Sequence, residues 1–180
     1  MAIHCQPGKC GTIAFVSTHK TSAELARWAV ERVGAQDLAA ARTVWSDGVV
    51  VRFPDRVCHN ADELAAYFTN LYTAIEGFRL EVIEAGDAGD DAFVHWHLTG
   101  RHVGPVVGVA GTGRSLEIDG IDHFVVRDGR VVSNFVVYDQ MQFARQVGLL
   151  PSHASTADRA LKAAFNARTK VLDAVTKRRR

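Results

Sequence analysis

The order of elements along this chain predicts an α+β fold: a curved antiparallel sheet with its helices gathered on one side. Three observations carry that expectation. Two helical stripes come early, Leu25–Trp28–Ala29–Val33 and Leu64–Tyr67–Phe68–Leu71–Ile75. From Phe78 to Tyr138 four stretches then read as strands, the last two alternating apolar and polar side chains. Asp128-Gly129 joins those last two stretches, and this dipeptide favours a two-residue hairpin turn.

Each element has a local reason. Thr21 or Ser22 can cap a first helix, and Gly34 is its expected stop. Asp37 caps a short helix from Leu38 to Val44. Val49–Phe53 reads as a strand ended by Pro54, which lacks the N–H that a ladder needs. Asn60 with Glu63 three residues on forms a capping-box start for the strongest helix, ended by Gly77. Strands follow over Phe78–Ala85, Ala92–Val103, Arg114–Arg127 and Arg130–Tyr138, then a short helix around Asp139–Val147 that stops at Gly148. Beyond Pro151 a polar linker leads to a helix from about Thr156 to Thr176, with Leu161, Phe165, Leu172 and Val175 in line and Arg168 interrupting them. The division expected is a flexible leader over 1–20, a domain over 21–151, and a linker with a basic C-terminal helix over 152–180.

At 180 residues the chain has the length of one domain with room for an appended segment. The formal net charge of +1 gives no overall bias toward nucleic acid or membrane. That balance hides an asymmetry. Residues 156–180 hold eight Lys/Arg against Asp158 and Asp173, a net of +6, which leaves −5 on the remainder. The basic run Lys177–Arg180 is short and has no interleaved aromatics, so no nucleic-acid partner is expected. Cys5, Cys10 and Cys58 are odd in number and have no ligand-like spacing beyond Cys5-x4-Cys10, which favours reduced thiols. No signal-like segment and no span-length apolar run is visible, so a cytoplasmic protein without a membrane partner is expected.

Alternation assigns side chains to faces. Leu116, Ile118, Phe124 and Val126 share a face with Asp122, and a carboxylate there is paired (Arg101 is one candidate), protonated or working. Burial disfavours its charge and raises its pKa toward the range useful for proton transfer. Gly120 beside it would leave an open patch for a ligand. Asn134 and Tyr138 share the Val132/Val136 face of the last strand and could donate hydrogen bonds to a carbonyl or enolate oxygen. His102 falls on the face of Val94, Trp96 and Leu98, where it is either a satisfied core residue or a proton partner of Asp122. His95, His97, Thr99, Ile121, His123 and Val125 alternate onto the opposite face. Two imidazoles at that spacing need a third ligand such as His123 or Asp119 to hold a metal; the face reads instead as a contact between two copies, and no metal is expected. Gly104–Gly113 precedes no helix, so it is a hairpin loop rather than a phosphate cradle.

The stretches GRHVGPVVG at Gly100, RDGRVV at Arg127–Val132, Tyr138-Asp139 and Gln146-Val147-Gly148 carry a resemblance. From about Ser22 to Pro151 the chain resembles the SnoaL-like polyketide cyclases of the nuclear transport factor 2-like superfamily. The resemblance implies a cone-shaped barrel: a strongly curved antiparallel sheet wrapped around helices and enclosing an apolar pocket, usually in a homodimer. It points Asn134, Val136 and Tyr138 into the cone, with Phe53, Tyr67, Leu71, Trp96 and Phe124 as pocket lining. The chain departs from the cyclases at two positions. Their main acid/base aspartate falls at Val136, and a cyclase histidine falls at Asp122. The function expected is acid/base chemistry without a cofactor, of cyclase, isomerase or hydrolase type, on a hydrophobic oxygenated small molecule such as a polyketide, steroid or terpenoid. Asp122, His102, Asn134 and Tyr138 would carry it. A non-catalytic ligand-binding or dimerising module of the same fold is the alternative.

Overall fold

A computed structural model describes residues 21–178, so the expected leader lies outside the described residues. Helix α1 (Ser22–Gly34) starts where the Thr21 hydroxyl accepts from the Glu24 N–H at 3.1 Å. It buries Leu25, Ala26, Ala29, Val30 and Val33 along one stripe. Each Leu or Val so buried stabilises the fold by roughly 1.5–3 kcal/mol relative to exposure. Gly34 is needed for contact rather than for the helix stop: a Cβ there would lie 2.3 Å from the Leu80 carbonyl oxygen. The left-handed residue that ends the turn is Gln36, with φ 59.

Helix α2 (Leu38–Arg42) leads into β1 (Trp45–Arg52), which begins four residues earlier than its alternation suggests. A two-residue strand β2 (Val57–Cys58) pairs with it; so short a strand leaves no periodic signal. Helix α3 (Ala61–Ala74) starts at the expected Asn60 cap, whose Oδ1 accepts from the Glu63 N–H, while Glu63 Oε2 reaches back one residue beyond the cap to accept from the His59 N–H. It ends at Ala74 rather than at Gly77, because Ile75 already pairs with His102 as the first residue of β3 (Ile75–Ala88). Then come β4 (Asp91–His102), β5 (Ser115–Arg127), β6 (Arg130–Tyr138), α4 (Gln140–Gln146) and α5 (Thr156–Arg178).

The six strands run in the order β2-β1-β6-β5-β4-β3. All pairs are antiparallel except β1 with β6, which places the first strand beside the last. Asp128 and Gly129 take φ of 51 and 69, the mirror-image turn whose twist suits a hairpin. A register shift between Val125 and Val126 turns Val131 inward in place of Val132, so Val131 is buried and Val132 is not. The concave side of the sheet, closed by α1, α3 and α4, holds the core.

Helix α5 stands apart from that core. Asp158 is its one buried side chain among the described residues. The Asp158 carboxylate accepts from Arg145 at 3.2 Å, Lys162 at 2.8 Å and the Ala154 N–H at 3.1 Å, and these partners hold its pKa well below the usual carboxylate range. Leu161, Phe165 and Leu172 are at least half exposed. Removing residues 154–180 is therefore expected to leave the melting temperature within about 5 °C, the effect of ~1–2 kcal/mol in a domain of this size. Thermal unfolding of the truncated chain checks this, and insoluble protein would contradict it.

Candidate functional site

The inner face of the sheet sets the site by register. Trp96 on β4 pairs with Gly120 on β5 and Gly120 with Tyr138 on β6; one rung along, Val94 pairs with Asp122 and Asp122 with Val136; the next rung holds Ala92, Phe124 and Asn134. Trp96 and Asn134 thus sit diagonally on either side of Asp122, within reach of long side chains. The Trp96 indole N–H donates to Asp122 Oδ1 at 2.8 Å, and the Asn134 amide donates to Oδ2 at 2.8 Å.

Asp122 is 7% exposed. Burial pushes its pKa up to about 6, against the two hydrogen bonds, which pull it down by favouring the charged form. Both oxygens accept, so this arrangement is that of a carboxylate. Arg101, the partner weighed from sequence, pairs instead with Glu76, its Nε 2.6 Å from Oε2. Asn134 Oδ1 is buried and without a hydrogen-bond partner. An amide in this position can meet either charge state: turned as it stands it donates to a carboxylate, and turned over it accepts from a carboxylic acid.

Gly120 does not leave an open patch. A Cβ there would lie 2.1 Å from Trp96 Cζ2 and 2.3 Å from Cη2, so the indole occupies the space that the missing side chain frees. The glycine lets Trp96 lie against β5 and reach Asp122. Asn134, expected to donate to a ligand oxygen, gives one of its two amide N–H groups to Asp122.

Around this group opens a cavity of about 120 Å³ with an almost wholly apolar wall. Phe53, Tyr67, Leu71, Trp96, Phe124 and Val136 all line it, as do Asp122, Asn134 and Tyr138. The Tyr67 ring packs on Phe53 with centroids 4.1 Å apart, and Tyr138 lies 6.5 Å from the Trp96 ring. Burial raises both phenols, Tyr138 to about 12, so its hydroxyl is a hydrogen-bond donor at neutral pH.

His102 is not among the lining residues. It is fully buried, with Nδ1 3.2 Å from Thr112 Oγ1 and its ring 6.0 Å from Phe143, which does line the cavity. Its Nε2 has no hydrogen-bond partner. On the outer face, His97 Nδ1 lies 2.9 Å and His95 Nε2 3.8 Å from Asp119 Oδ1, while His123 Nε2 lies 2.7 Å from Asp91. Among the described residues no group of three or more His, Cys, Asp or Glu side chains is placed to hold a metal ion.

One residue near the cavity was not singled out from the sequence. Asp55, in the turn after β1, has a side chain only 9% exposed and a buried Oδ1 without a partner. Its Oδ2 accepts from Arg56 at 3.1 Å, and the Arg56 guanidinium stands 5.0 Å over the Tyr67 ring. The negative charge of Asp55 adds to burial in raising Tyr67 and Tyr138. The only sequence signal was its place behind Pro54, which read as a strand end.

If Gly120 makes room for the indole, Gly120→Ala should cost ~1–3 kcal/mol of stability by overpacking. The cost should shrink in a Trp96→Phe background, where the ring atoms it meets are gone. A double-mutant cycle by chemical denaturation checks this; a silent Gly120→Ala would contradict the packing.

A family model for the SnoaL-like polyketide cyclases matches residues 23–147. No curated protein matches the chain. Solved structures agree in fold. TsrD from Streptomyces laurentii superposes with TM-score 0.66 at 22% identity, over 73% of this chain and 98% of its own. A protein from Jannaschia sp. CCS1, described as a SnoaL-like polyketide cyclase, gives TM-score 0.65 at 19% identity over 72% of this chain and 93% of its own. IdmH from Streptomyces antibioticus, described as a polyketide cyclase, gives 0.62 at 20% identity, over 72% and 99%. The match over residues 23–147, on a curved sheet that closes over an apolar cavity, makes this chain a member of the SnoaL-like polyketide cyclase family.

Proposed function

We propose that the chain is an enzyme that works without a cofactor, doing acid/base chemistry of cyclase, isomerase or hydrolase type on a hydrophobic oxygenated small molecule. The observation that carries this reading is a single buried carboxylate, held on both oxygens by N–H donors, in the wall of an apolar cavity. Val136, at the position of the cyclase aspartate, is the register partner of Asp122. The carboxylate has in effect crossed one rung of the ladder, a displacement of roughly 5 Å that keeps it on the same wall.

In this reading Asp122 is the base and takes a proton from carbon or oxygen of the bound molecule. Tyr138 donates to the oxygen on which negative charge develops. Asn134 and Trp96 position the base; the single indole N–H of Trp96 is spent on Asp122, while the Asn134 amide gives Asp122 one of its two N–H groups and can offer the other to the bound molecule. His102, behind Phe143, supports the wall. A cavity of about 120 Å³ is of the size that encloses one small ring, since about 150 Å³ holds benzene. A polyketide, steroid or terpenoid would place one ring there and extend the rest toward the opening.

A base acts when ionised, so kcat/KM should rise with pH through about 6 and level off above it. Asp122→Asn should lower turnover by roughly 10²–10⁴-fold. Stability should move the other way. A carboxyl whose pKa is raised in the fold binds its proton more tightly folded than unfolded, so its contribution falls as pH rises from about 4 to about 6. At neutral pH that penalty is ~3 kcal/mol, and Asp122→Asn should relieve part of it there and none of it below about pH 4. Turnover on a panel of enolisable ring compounds and denaturation at both pH values check this. Full activity in Asp122→Asn would move the chemistry elsewhere; ligand binding without turnover in the wild-type chain would favour the non-catalytic alternative.

We also propose that the outer face of the sheet joins two copies. Phe93, Ile121, Phe135 and Val137 are each about half exposed there, and register makes them neighbours: Phe93 beside His123 beside Phe135, and His95 beside Ile121 beside Val137. So continuous an apolar strip is unusual on a face left in water. Sedimentation at micromolar concentration should give a dimer that Phe135→Glu dissociates. A wild-type monomer would end the idea.

A further inference from the structure

Helix α5 poses a problem that the pocket does not answer. It is 23 residues long, yet it buries only Asp158 of its described side chains. In proteins most helical stability comes from packing an apolar face against something, and this helix has such a face. Leu161, Phe165 and Leu172 lie on one line, 50%, 67% and 54% exposed, and the domain does not cover them.

Two features of the line select what does. The first is Arg168, which falls on the line between Phe165 and Leu172 and is exposed. Packing two such helices face to face would bury a guanidinium without a carboxylate partner on each. At a lipid surface the same side chain lays its methylenes among the apolar groups and carries its charge to the phosphates. The second is charge. Residues 156–180 carry a net of +6 while the rest of the chain carries −5, so the excess is confined to this C-terminal segment. Arg159, Lys162 and Lys170 are exposed away from the apolar line. Phosphate-only recognition, as on nucleic acid, would leave Leu161, Phe165 and Leu172 in water; an anionic bilayer covers them and pairs the charges together.

We propose that α5 is an in-plane anchor that binds the surface of an anionic lipid bilayer through Leu161, Phe165 and Leu172, with Arg168 and its basic flank on the lipid phosphates. It lies on the membrane and does not cross it; among the described residues no helix is long and apolar enough to span one. The contact between Asp158 and Arg145 of α4 fixes the start of the helix to the domain, so the anchor holds the pocket near the surface. Apolar molecules of the kind the cavity accepts partition into that layer. The inference is independent of the chemistry proposed for Asp122.

The test uses the full chain and large vesicles, of phosphatidylcholine alone or mixed with phosphatidylglycerol, followed by sedimentation. Binding to the mixed vesicles should exceed binding to the neutral ones by at least about tenfold at low salt and weaken as salt shortens the screening length. Phe165→Gln, an exposed position that leaves the domain core untouched, should lower it by about tenfold, and so should Arg168→Glu. Failure to bind anionic vesicles overturns the proposal. So does equal binding to both vesicle types, or retention by duplex DNA that Phe165→Gln leaves unchanged. Self-association of the wild type that Phe165→Gln abolishes, without vesicle binding, would assign the stripe to a second copy instead.

Discussion

Two N–H groups aimed at one buried carboxylate are the constraint on which the rest of this site depends. Asp122 in an apolar wall would cost several kcal/mol as an unpaired ion. The indole of Trp96 and the amide of Asn134 offset that cost at 2.8 Å each, from strands on either side. For the indole to reach, the residue opposite Trp96 has to lack a side chain, and Gly120 meets that requirement. For the amide to reach, β6 has to bring Asn134 to the inner face, which the register shift at Val125/Val126 permits after an inward-turned Val131.

The electrostatic consequence is a division of roles. Asp122 is raised only part of the way, to about 6, so it is ionised near neutral pH and still basic enough to take a proton. Tyr138 is raised to about 12 and keeps its proton. In the chemistry proposed above, Asp122 would accept and Tyr138 would donate, from adjacent strands of the same wall. Asp55, nine-tenths buried behind the Arg56–Tyr67 contact, helps hold the phenols in the donor state.

Much of this was legible in the sequence, for identifiable reasons. Strict alternation over Leu116–Val126 placed Asp122 on the inner face, and the Asp128-Gly129 turn set the register of the last hairpin. The caps at Thr21, Asp37 and Asn60 located three helix starts. What alternation cannot supply is the partner across the sheet. It assigns a face, not a rung, so Gly120 read as an opening when it is the seat of an indole, and the hydrogen bond from the Asn134 amide to Asp122 left no trace in the pattern. His102 shares a face with Trp96 but sits at the end of β4, beyond the cavity wall, a distinction of position along the strand that periodicity does not make. Val131 and Val132 exchanged faces because a bulge changes the count locally.

The proposed chemistry turns on the charge state of Asp122, and carboxyl-carbon NMR of aspartate-labelled protein measures it directly. One aspartate resonance, lost in Asp122→Asn, should titrate with a midpoint near 6. A midpoint at the ordinary value of about 4 would mean that the carboxylate is neither dry nor tuned, and would contradict the assignment of Asp122 as the base.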